Sequence, residues 1–242
     1  MGTVVSLDVR GGSAPDARAA FGRLMAWLHD VDARFSTYRA ESEISRIDRG
    51  ELPVAAASSD VRWALDRCAA LRDETGGAFD ERAAGRLDPS AFVKGWAVQR
   101  GAELLSAEGL TDFCLNAGGD VVVRGGALPE AAWRVGVQHP RDRAAVAAAI
   151  AVTDMAVATS GSYERGRHVL DGRSGVAPSG VLSVTVAGPD LGIADAYSTA
   201  AFALGADGPR WTLGLDGYEA MTILEGDRVL CTPGFPAGEE TA

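Results

Sequence analysis

The sequence predicts an α+β fold in which mainly antiparallel sheets pack against helices. Some segments carry apolar residues at helical spacing, and others are short, rich in Val, Ile and Ala, and typical of strands. The two kinds do not alternate in a strict strand–helix–strand rhythm, which argues against a parallel sheet. The 242 residues, 47% of them hydrophobic, suffice for one sizeable core or two small fused units, and we expect a single domain over residues 1–242.

Helices dominate the predicted first half of the chain, after one opening strand. Residues 3–10 alternate apolar and polar side chains, as a half-buried strand does. Helices are predicted over residues 14–35, 58–75 and 94–108. In the second of these, the inward-facing residues are expected to be Trp63, Leu65, Ala69 and Leu71. Residues 34–48 and 78–92 are polar or interrupted by Gly and Pro, and are predicted to be irregular.

Strands dominate the predicted second half. They are expected at residues 113–115, 121–123, 133–138, 147–152, 156–159, 181–187, 220–224 and 228–231. Two further helices are predicted at residues 193–205 and 208–217. Residues 235–242 are expected to form a frayed tail.

Charge and cysteine usage exclude several classes of function. The formal net charge is −10, which disfavours non-specific binding to nucleic acid or to an anionic membrane. The three cysteines are far apart and form no CxxC pair, so we expect buried free thiols in a reducing compartment. No basic segment precedes an apolar run at the N-terminus, and no apolar run approaches the roughly 20 residues of a membrane span. We therefore expect a cytoplasmic protein.

The predicted helix over residues 193–205 is apolar except for a few side chains on one face. Asp195 and Thr199 are four residues apart, so both side chains lie on the same face, with Ser198 beside them. Either Asp195 is the N-cap of the helix with Ser198 at position N3, or Asp195 and Thr199 supply oxygens to a hard cation such as Mg²⁺. The residues alone leave both interpretations open.

Three other polar stretches have a functional and a structural interpretation. Residues 158–175 contain His168, a candidate general base, but such a loop is also typical of a solvated surface. Lys94 follows Asp88 near a helix start, where it either attracts an anionic ligand or is simply exposed. The Gly-Gly turn of residues 116–120 either closes a hairpin or lets the backbone approach a ligand. His29 and His139 are interpreted as structural.

Common catalytic motifs are absent from the sequence. It contains no GxxxxGK[ST], no GxGxxG after a strand, no GxSxG and no HExxH. P-loop nucleotide hydrolysis, Rossmann hydride transfer, serine hydrolysis and zinc proteolysis therefore lose support.

In this order, the polar stretches resemble the ApbE-type FAD:protein FMN transferases along nearly the whole chain. RFSTYRAESEISRI resembles the family motif S-x-Y-x-x-x-S-E-I, and TGGAFD resembles T-x-G-x-F-D. DPSAFVKGWAV resembles D-x-x-x-x-x-K-G, and LNAGGD, ATSGSYER, HVLDGRSG and ADAYSTA follow in family order. Each motif is weak alone, but eight stretches in sequence, including the N-terminal MGTVVSLDV, make chance a poor explanation.

The resemblance implies a specific reaction and a set of site residues. Family members use a divalent metal, Mg²⁺ or alternatively Mn²⁺, to split FAD and join FMN through its phosphate to a Thr or Ser of an acceptor protein, with AMP as leaving group. By resemblance, the metal oxygens come from Asp195, Thr199 and the carbonyl of Ala91, and His168 is the general base. The residues that match positions around the FAD are Met1, Tyr38, Ala78, Phe79, Asp80, Asp88, Lys94, Asn116, Gly118, Gly119, Asp120, Ser160 and Leu170.

One departure from the family pattern concerns the flavin side of the pocket. Only ERAAGRL, residues 81–87, separates the F-D pair from Asp88, where the family usually has a longer segment. Alternative functions are an FAD pyrophosphatase that yields FMN and AMP, a non-catalytic FAD-binding protein, and a generic α+β ligand-binding domain. The acceptor, the oligomeric state and an internal duplication into two similar α+β halves stay open.

Overall fold

Nine strands and six α-helices run through the residues that the computed structural model describes, namely 3–11, 13–128, 131–162 and 169–236. The helices are α1 (Ala14–Phe35), α2 (Glu43–Asp48), α3 (Ser59–Glu74), α4 (Ser90–Ala107), α5 (Leu191–Ala203) and α6 (Gly208–Thr212). The strands are β1 (Val5–Arg10), β2 (Asp112–Ala117), β3 (Asp120–Arg124), β4 (Trp133–His139), β5 (Asp142–Val152), β6 (Ala156–Gly161), β7 (Val181–Gly188), β8 (Glu219–Leu224) and β9 (Val229–Cys231).

Seven of the strands form one sheet in the order β1-β2-β3-β6-β7-β8-β9, and β4 pairs with β5 in a separate ribbon. Every neighbouring pair in both sheets is antiparallel. Strands, helices and their mixed order match the sequence prediction, so the α+β class is confirmed.

The large sheet is covered on both faces. Val122 of β3 belongs to the larger apolar cluster, which fills the space under the helices, whereas Val121 and Val123 belong to a second cluster under the β4–β5 ribbon. This alternation follows from the period of two along a strand. The sheet therefore holds α4 and α5 in place from one side while the ribbon covers the other.

Helix α1 has the bounds that its periodicity predicts. The side chain of Ser13 caps it by accepting a hydrogen bond from the N–H of Asp16 at 3.3 Å. Its buried residues, spaced three or four apart, are Ala20, Leu24, Leu28, Val31 and Phe35. A helix with a single apolar stripe is the easiest element to find from sequence.

The first half of the chain also corrects two predictions. The predicted irregular stretch 34–48 contains α2, because Ser42 caps a short helix by accepting from the N–H of Ser45 at 3.1 Å. In α3, Trp63 was predicted to face inward but is 49% exposed. The buried face of α3 is instead formed by Val61, Ala64, Cys68 and Leu71.

Further boundaries differ from the prediction, and β5, for example, begins at Asp142 instead of residue 147. Helix α4 begins at Ser90 instead of residue 94, and α6 ends at Thr212 instead of residue 217. Phe235, which was predicted to begin a frayed tail, is buried in the second apolar cluster, and residues 237–242 lie outside the described residues. All three cysteines are free, but only Cys68 is buried, and Cys231 is exposed.

Candidate active site

Two glycines let helices α4 and α5 cross in close contact. A Cβ atom at Gly95 would lie 2.9 Å from the carbonyl carbon of Leu191 and 3.0 Å from Cβ of Asp195. A Cβ at Gly192 would lie 3.2 Å from the backbone of Trp96. A Cβ at Gly95 would overlap the Leu191 backbone, so glycine is needed there, whereas a Cβ at Gly192 would make a tight contact that requires a small shift of α4. The crossing brings Lys94 beside Asp195.

Asp195 is not the N-cap of α5. That position belongs to Asp190, whose side chain accepts from the N–H of Ile193 at 2.9 Å. Asp195 lies in the second turn, is 2% exposed, and accepts from the N–H of Gly95 at 3.3 Å. The regular helical acceptor of that N–H is the carbonyl of Ala91, so two of the predicted metal oxygens are neighbours. The cap interpretation was therefore wrong.

Lys94 forms ion pairs with two buried carboxylates. Its Nζ lies 2.8 Å from Oδ2 of Asp120 and 4.0 Å from Oδ2 of Asp195. Asp120 is 1% exposed, and burial raises the pKa of its carboxyl group while the nearby Lys94 ammonium partly offsets that rise. Lys94 lies in the second turn of α4, since the helix begins at Ser90. Its role therefore depends on the two carboxylates and the cavity, and not on the helix N-terminus.

Three hydroxyl groups lie next to the carboxylates. Ser160 on β6 is 2.9 Å from the hydroxyl of Ser198 and 3.2 Å from that of Thr199, both on α5. Ser198 in turn donates to the main-chain carbonyl of Asp195 at 2.9 Å. The packing of α5 on β6 thus connects the two predicted polar positions of α5 to one strand residue.

A cavity of about 1040 Å³ opens at this cluster. Most of the predicted site residues line it: Tyr38, Ala78, Phe79, Asp80, Asp88, Ala91, Lys94, Gly118, Ser160, Leu170, Asp195 and Thr199. They come from separate motifs spread over more than half of the chain. The fold therefore brings together what the sequence presents as isolated stretches.

Two of these motifs are fixed against each other by glycine. The N–H of Gly172 donates to the carbonyl of Ala78 at 3.3 Å, and a Cβ at Gly172 would meet the side chain of Asp80. Thr75 holds the start of the same turn by accepting from the N–H of Phe79 at 3.1 Å. The TGGAFD and LDGRSG stretches consequently form one wall of the cavity.

Some predicted residues are not part of the cavity lining. The side chain of Asn116 closes the β2–β3 turn by accepting from the N–H of Gly119 at 3.0 Å, and neither residue lines the cavity. Asp120 acts on the site through its ion pair with Lys94. Met1 and His168 lie outside the described residues.

Sequence reasoning missed several lining residues. Gln138 and Arg143, from the β4–β5 ribbon, line the cavity, as do Arg39 and Arg86. Arg39 and Arg86 lie within stretches that the sequence analysis singled out, but at positions that no motif specifies. The positions of Gln138 and Arg143 depend on how the ribbon folds over the sheet. The 81–87 loop also contributes to the wall, through the charged residues Glu81 and Arg86 and the small residues Ala83 and Ala84.

The residues at the α4–α5 crossing fit a hard divalent cation. A carboxylate, a hydroxyl and a main-chain carbonyl are the oxygen donors that Mg²⁺ prefers. A cation would also lower the electrostatic cost of burying the carboxylates of Asp195 and Asp120 close to the same ammonium group. The described residues contain no group of three or more His, Cys, Asp or Glu that could hold a metal, so any site here depends on hydroxyl and carbonyl oxygens.

Comparisons with known proteins point to one protein family. The model of the ApbE family matches residues 1–85 and 81–222. An FAD:protein FMN transferase of Rhodobacter capsulatus is 32% identical over 174 residues, which is 63% of this chain and 33% of that protein. One of Salmonella typhimurium is 30% identical over 162 residues, which is 62% of this chain and 46% of that protein. The chain thus spans between a third and a half of the length of these relatives.

Solved structures support the fold. The flavin transferase ApbE from Vibrio cholerae has a TM-score of 0.83 at 22% identity, covering 97% of this chain and 95% of that one. The ApbE protein from Thermotoga maritima has a TM-score of 0.82 at 23% identity, covering 98% and 95%. Among the described residues, no helix is both long and apolar enough to span a membrane.

Proposed function

The chain belongs to the ApbE family, and on that premise we propose that it is a metal-dependent FAD:protein FMN transferase. The proposal is that it cleaves FAD, attaches FMN through its phosphate to a Thr or Ser of an acceptor protein, and releases AMP. The observation that carries it is the convergence of the family motifs on one cavity, at the α4–α5 crossing where Lys94 pairs with the buried Asp195. A cytoplasmic acceptor stays a prediction.

The proposed metal ligands are Asp195, Thr199 and the carbonyl of Ala91, all of which line the cavity. A divalent cation bound there would neutralise the charge of the FAD pyrophosphate and act as a Lewis acid on the leaving phosphate. Lys94 adds a positive charge on the same wall. Asp120 pairs with this ammonium group at 2.8 Å and thereby restrains its position.

In the proposed reaction, the hydroxyl oxygen of the acceptor forms a bond to the phosphorus of the FMN half. The pyrophosphate P–O bond breaks, and AMP leaves with the electron pair of that bond. We assign the removal of the hydroxyl proton to His168, a contribution of about 10²–10⁴ in rate. The chain itself needs no nucleophile, which accords with the absence of a nucleophile motif in the sequence.

The test uses the full chain with FAD and Mg²⁺. The acceptors are a panel of purified proteins that carry covalent FMN when isolated from other sources, here prepared in unmodified form. The proposal predicts that one acceptor gains the mass of one FMN and that AMP is released in equal amount. Release of free FMN without a labelled acceptor would instead support the pyrophosphatase. Bound, intact FAD would support a carrier.

The role of His168 is tested separately from the metal site. The His168→Ala variant is expected to label the acceptor about 10²-fold or more slowly while binding FAD as the wild type does. His139→Ala is the matched control, because His139 is not among the described residues that line the cavity, and its Nδ1 accepts from the N–H of Arg141 at 3.2 Å. Equal labelling rates of the wild type and the His168 variant across the pH range would remove His168 as the base.

A further inference from the structure

The hydroxyl groups of Ser198, Ser160 and Thr199 form a chain with a fixed direction. The chain ends at the main-chain carbonyl of Asp195, which can only accept a hydrogen bond. Ser198 must therefore give its single proton to that carbonyl, at 2.9 Å. If Ser198 donated to Ser160 instead, the hydroxyl oxygen of Ser198 and the carbonyl oxygen of Asp195 would lie 2.9 Å apart with no proton between them.

The directions of the other two hydrogen bonds in this hydroxyl series follow from this end point. With its proton used, Ser198 can only accept from Ser160 across 2.9 Å. Ser160 then has no proton left, so the 3.2 Å contact to Thr199 is made by the proton of Thr199. All three contacts are hydrogen bonds only if Thr199 donates to Ser160, Ser160 donates to Ser198, and Ser198 donates to the carbonyl of Asp195.

The direction determines what Thr199 offers to the cavity. Because its proton points to Ser160, the lone pairs of its oxygen are left for the side that faces the cavity and Asp195. A cation binds to lone pairs and is repelled by a hydroxyl proton. Both serines are buried, Ser198 completely, so the hydrogen bond from Ser198 to the carbonyl of Asp195 is shielded from water.

We propose that Ser198 and Ser160 are positioning residues that orient the Thr199 hydroxyl for a divalent cation. The inference deepens the proposed function, because it rests on the metal site assigned there. Ser198 does not line the cavity, so its influence on a bound cation passes through Ser160 and Thr199.

The structure supplies a matched control on the neighbouring strand. The hydroxyls of Thr159 and Thr185 are also 2.9 Å apart, and Thr185 is as buried as Ser198. Thr159 precedes Ser160 on β6, so its side chain points to the opposite face of the sheet. Thr185→Val therefore removes a buried hydroxyl and a hydrogen bond of the same length, in a pair that is not linked to Thr199.

The experiment is a titration of the full chain with Mn²⁺ alone, in which the signal of the free ion is followed by electron paramagnetic resonance. Ser198→Ala and Ser160→Ala are expected to weaken Mn²⁺ binding about tenfold. Ser160→Thr, which keeps the hydroxyl, and Thr185→Val are expected to stay within about twofold of the wild type. Thermal unfolding in EDTA measures the stability loss, which Ser198→Ala and Thr185→Val should share.

The outcomes separate this inference from the proposed function. If Ser198→Ala and Ser160→Ala bind Mn²⁺ like the wild type while Asp195→Asn abolishes binding, the orienting chain is wrong and the metal site stands. If Asp195→Asn binds like the wild type, or the wild type binds no Mn²⁺, both the metal site and the inference are wrong. If the Mn²⁺ pattern is as expected but no acceptor is labelled, the inference holds and the transferase proposal fails.

Discussion

Helices α1 and α5 lie on the same side of the large sheet but bury different kinds of residue. Helix α1 packs against α4 and buries a single stripe that is entirely apolar. Helix α5 lies between α4 and strands β6 and β7, and it buries Asp195 and Ser198 together with its apolar residues. Burial of a charged or polar side chain costs free energy unless it is paired.

The two helices differ in where their carboxylates lie. No carboxylate of α1 is fully buried: Asp30 is exposed and pairs with Arg34 at 2.6 Å, and Asp32 is partly exposed and pairs with Arg39 at 2.9 Å. In α5 a carboxylate is buried at a helix crossing where an apolar side chain would satisfy packing equally well. A buried carboxylate at the edge of a large cavity is the position where a functional site is expected.

The largest expected effect is on catalysis, at Asp195. Asp195→Asn keeps the size of the side chain and removes its charge, so we expect acceptor labelling to fall roughly 1,000-fold, given the several kcal/mol that a metal contributes to phosphoryl transfer. Asp30→Asn in α1 is the matched control and is expected to label at the wild-type rate. Labelling rates are measured by intact mass. A similar loss in both variants would contradict the distinction between the two helices.

The next effect is on stability, at the crossing of α4 and α5. Gly95→Ala places a Cβ against the Leu191 backbone and Asp195, so the helices must separate, and we expect a loss of about 3 kcal/mol in the free energy of unfolding. Urea denaturation monitored by circular dichroism measures it. Gly101→Ala on the same helix is the control, because its Cβ meets the flexible end of Leu24 instead of backbone. An equal loss of unfolding free energy in both variants would show that the contact between α4 and α5 does not specifically require glycine at position 95.

Lys94→Met tests the charge balance of the site. It removes the ammonium group that pairs with the buried Asp120 and Asp195, and we expect the free energy of unfolding to fall by about 2 kcal/mol at pH 7 in EDTA. The expected loss is smaller than for a fully buried partner because the Lys94 side chain is a quarter exposed. The raised pKa of Asp120 sets the sign of the pH dependence. A raised folded-state pKa stabilises the fold below the unfolded-state pKa, and this stabilisation is lost as the pH rises.

The loss from Lys94→Met should therefore shrink as the pH is lowered, because protonated Asp120 no longer needs a cation. Denaturation at several pH values between 4 and 7 measures the trend. A difference from the wild type that stays constant over this range would show that Asp120 is not the group that Lys94 compensates.

The smallest expected effect is a gain in the free energy of unfolding, from a substitution in α1. Gly22 lies in the interior of this helix, and a Cβ there meets nothing within 4 Å. Gly22→Ala is therefore expected to stabilise the chain by about 0.5–1 kcal/mol, measured by the same denaturation. Destabilisation would mean that this face of α1 is covered by something outside the described residues.

The same two helices show how far the sequence could predict the fold. The bounds of α1 follow from periodicity, because an apolar stripe against a polar face is a local pattern. For Trp63 on α3 the pattern failed. Its ring packs 5.8 Å from Phe92 and 5.5 Å from Trp96, which satisfies an apolar side chain while leaving it half exposed.

The candidate site was predictable as a set of residues but not as an arrangement. Motif order located Asp195, Thr199 and Lys94, yet the residues alone favoured a helix cap over a metal ligand. The choice depended on Asp190, five residues upstream, which occupies the cap. The contributions of Gln138 and Arg143 depended on tertiary packing that no local pattern encodes.

The central claim is that α5 presents oxygen ligands for a divalent cation to the cavity. The most direct measurement is anomalous X-ray diffraction from crystals of the chain grown with Mn²⁺. The account predicts a single strong anomalous peak bounded by the Asp195 carboxylate, the Thr199 hydroxyl and the Ala91 carbonyl, and its loss in Asp195→Asn crystals. A peak at any other place in the cavity, or none, would contradict it.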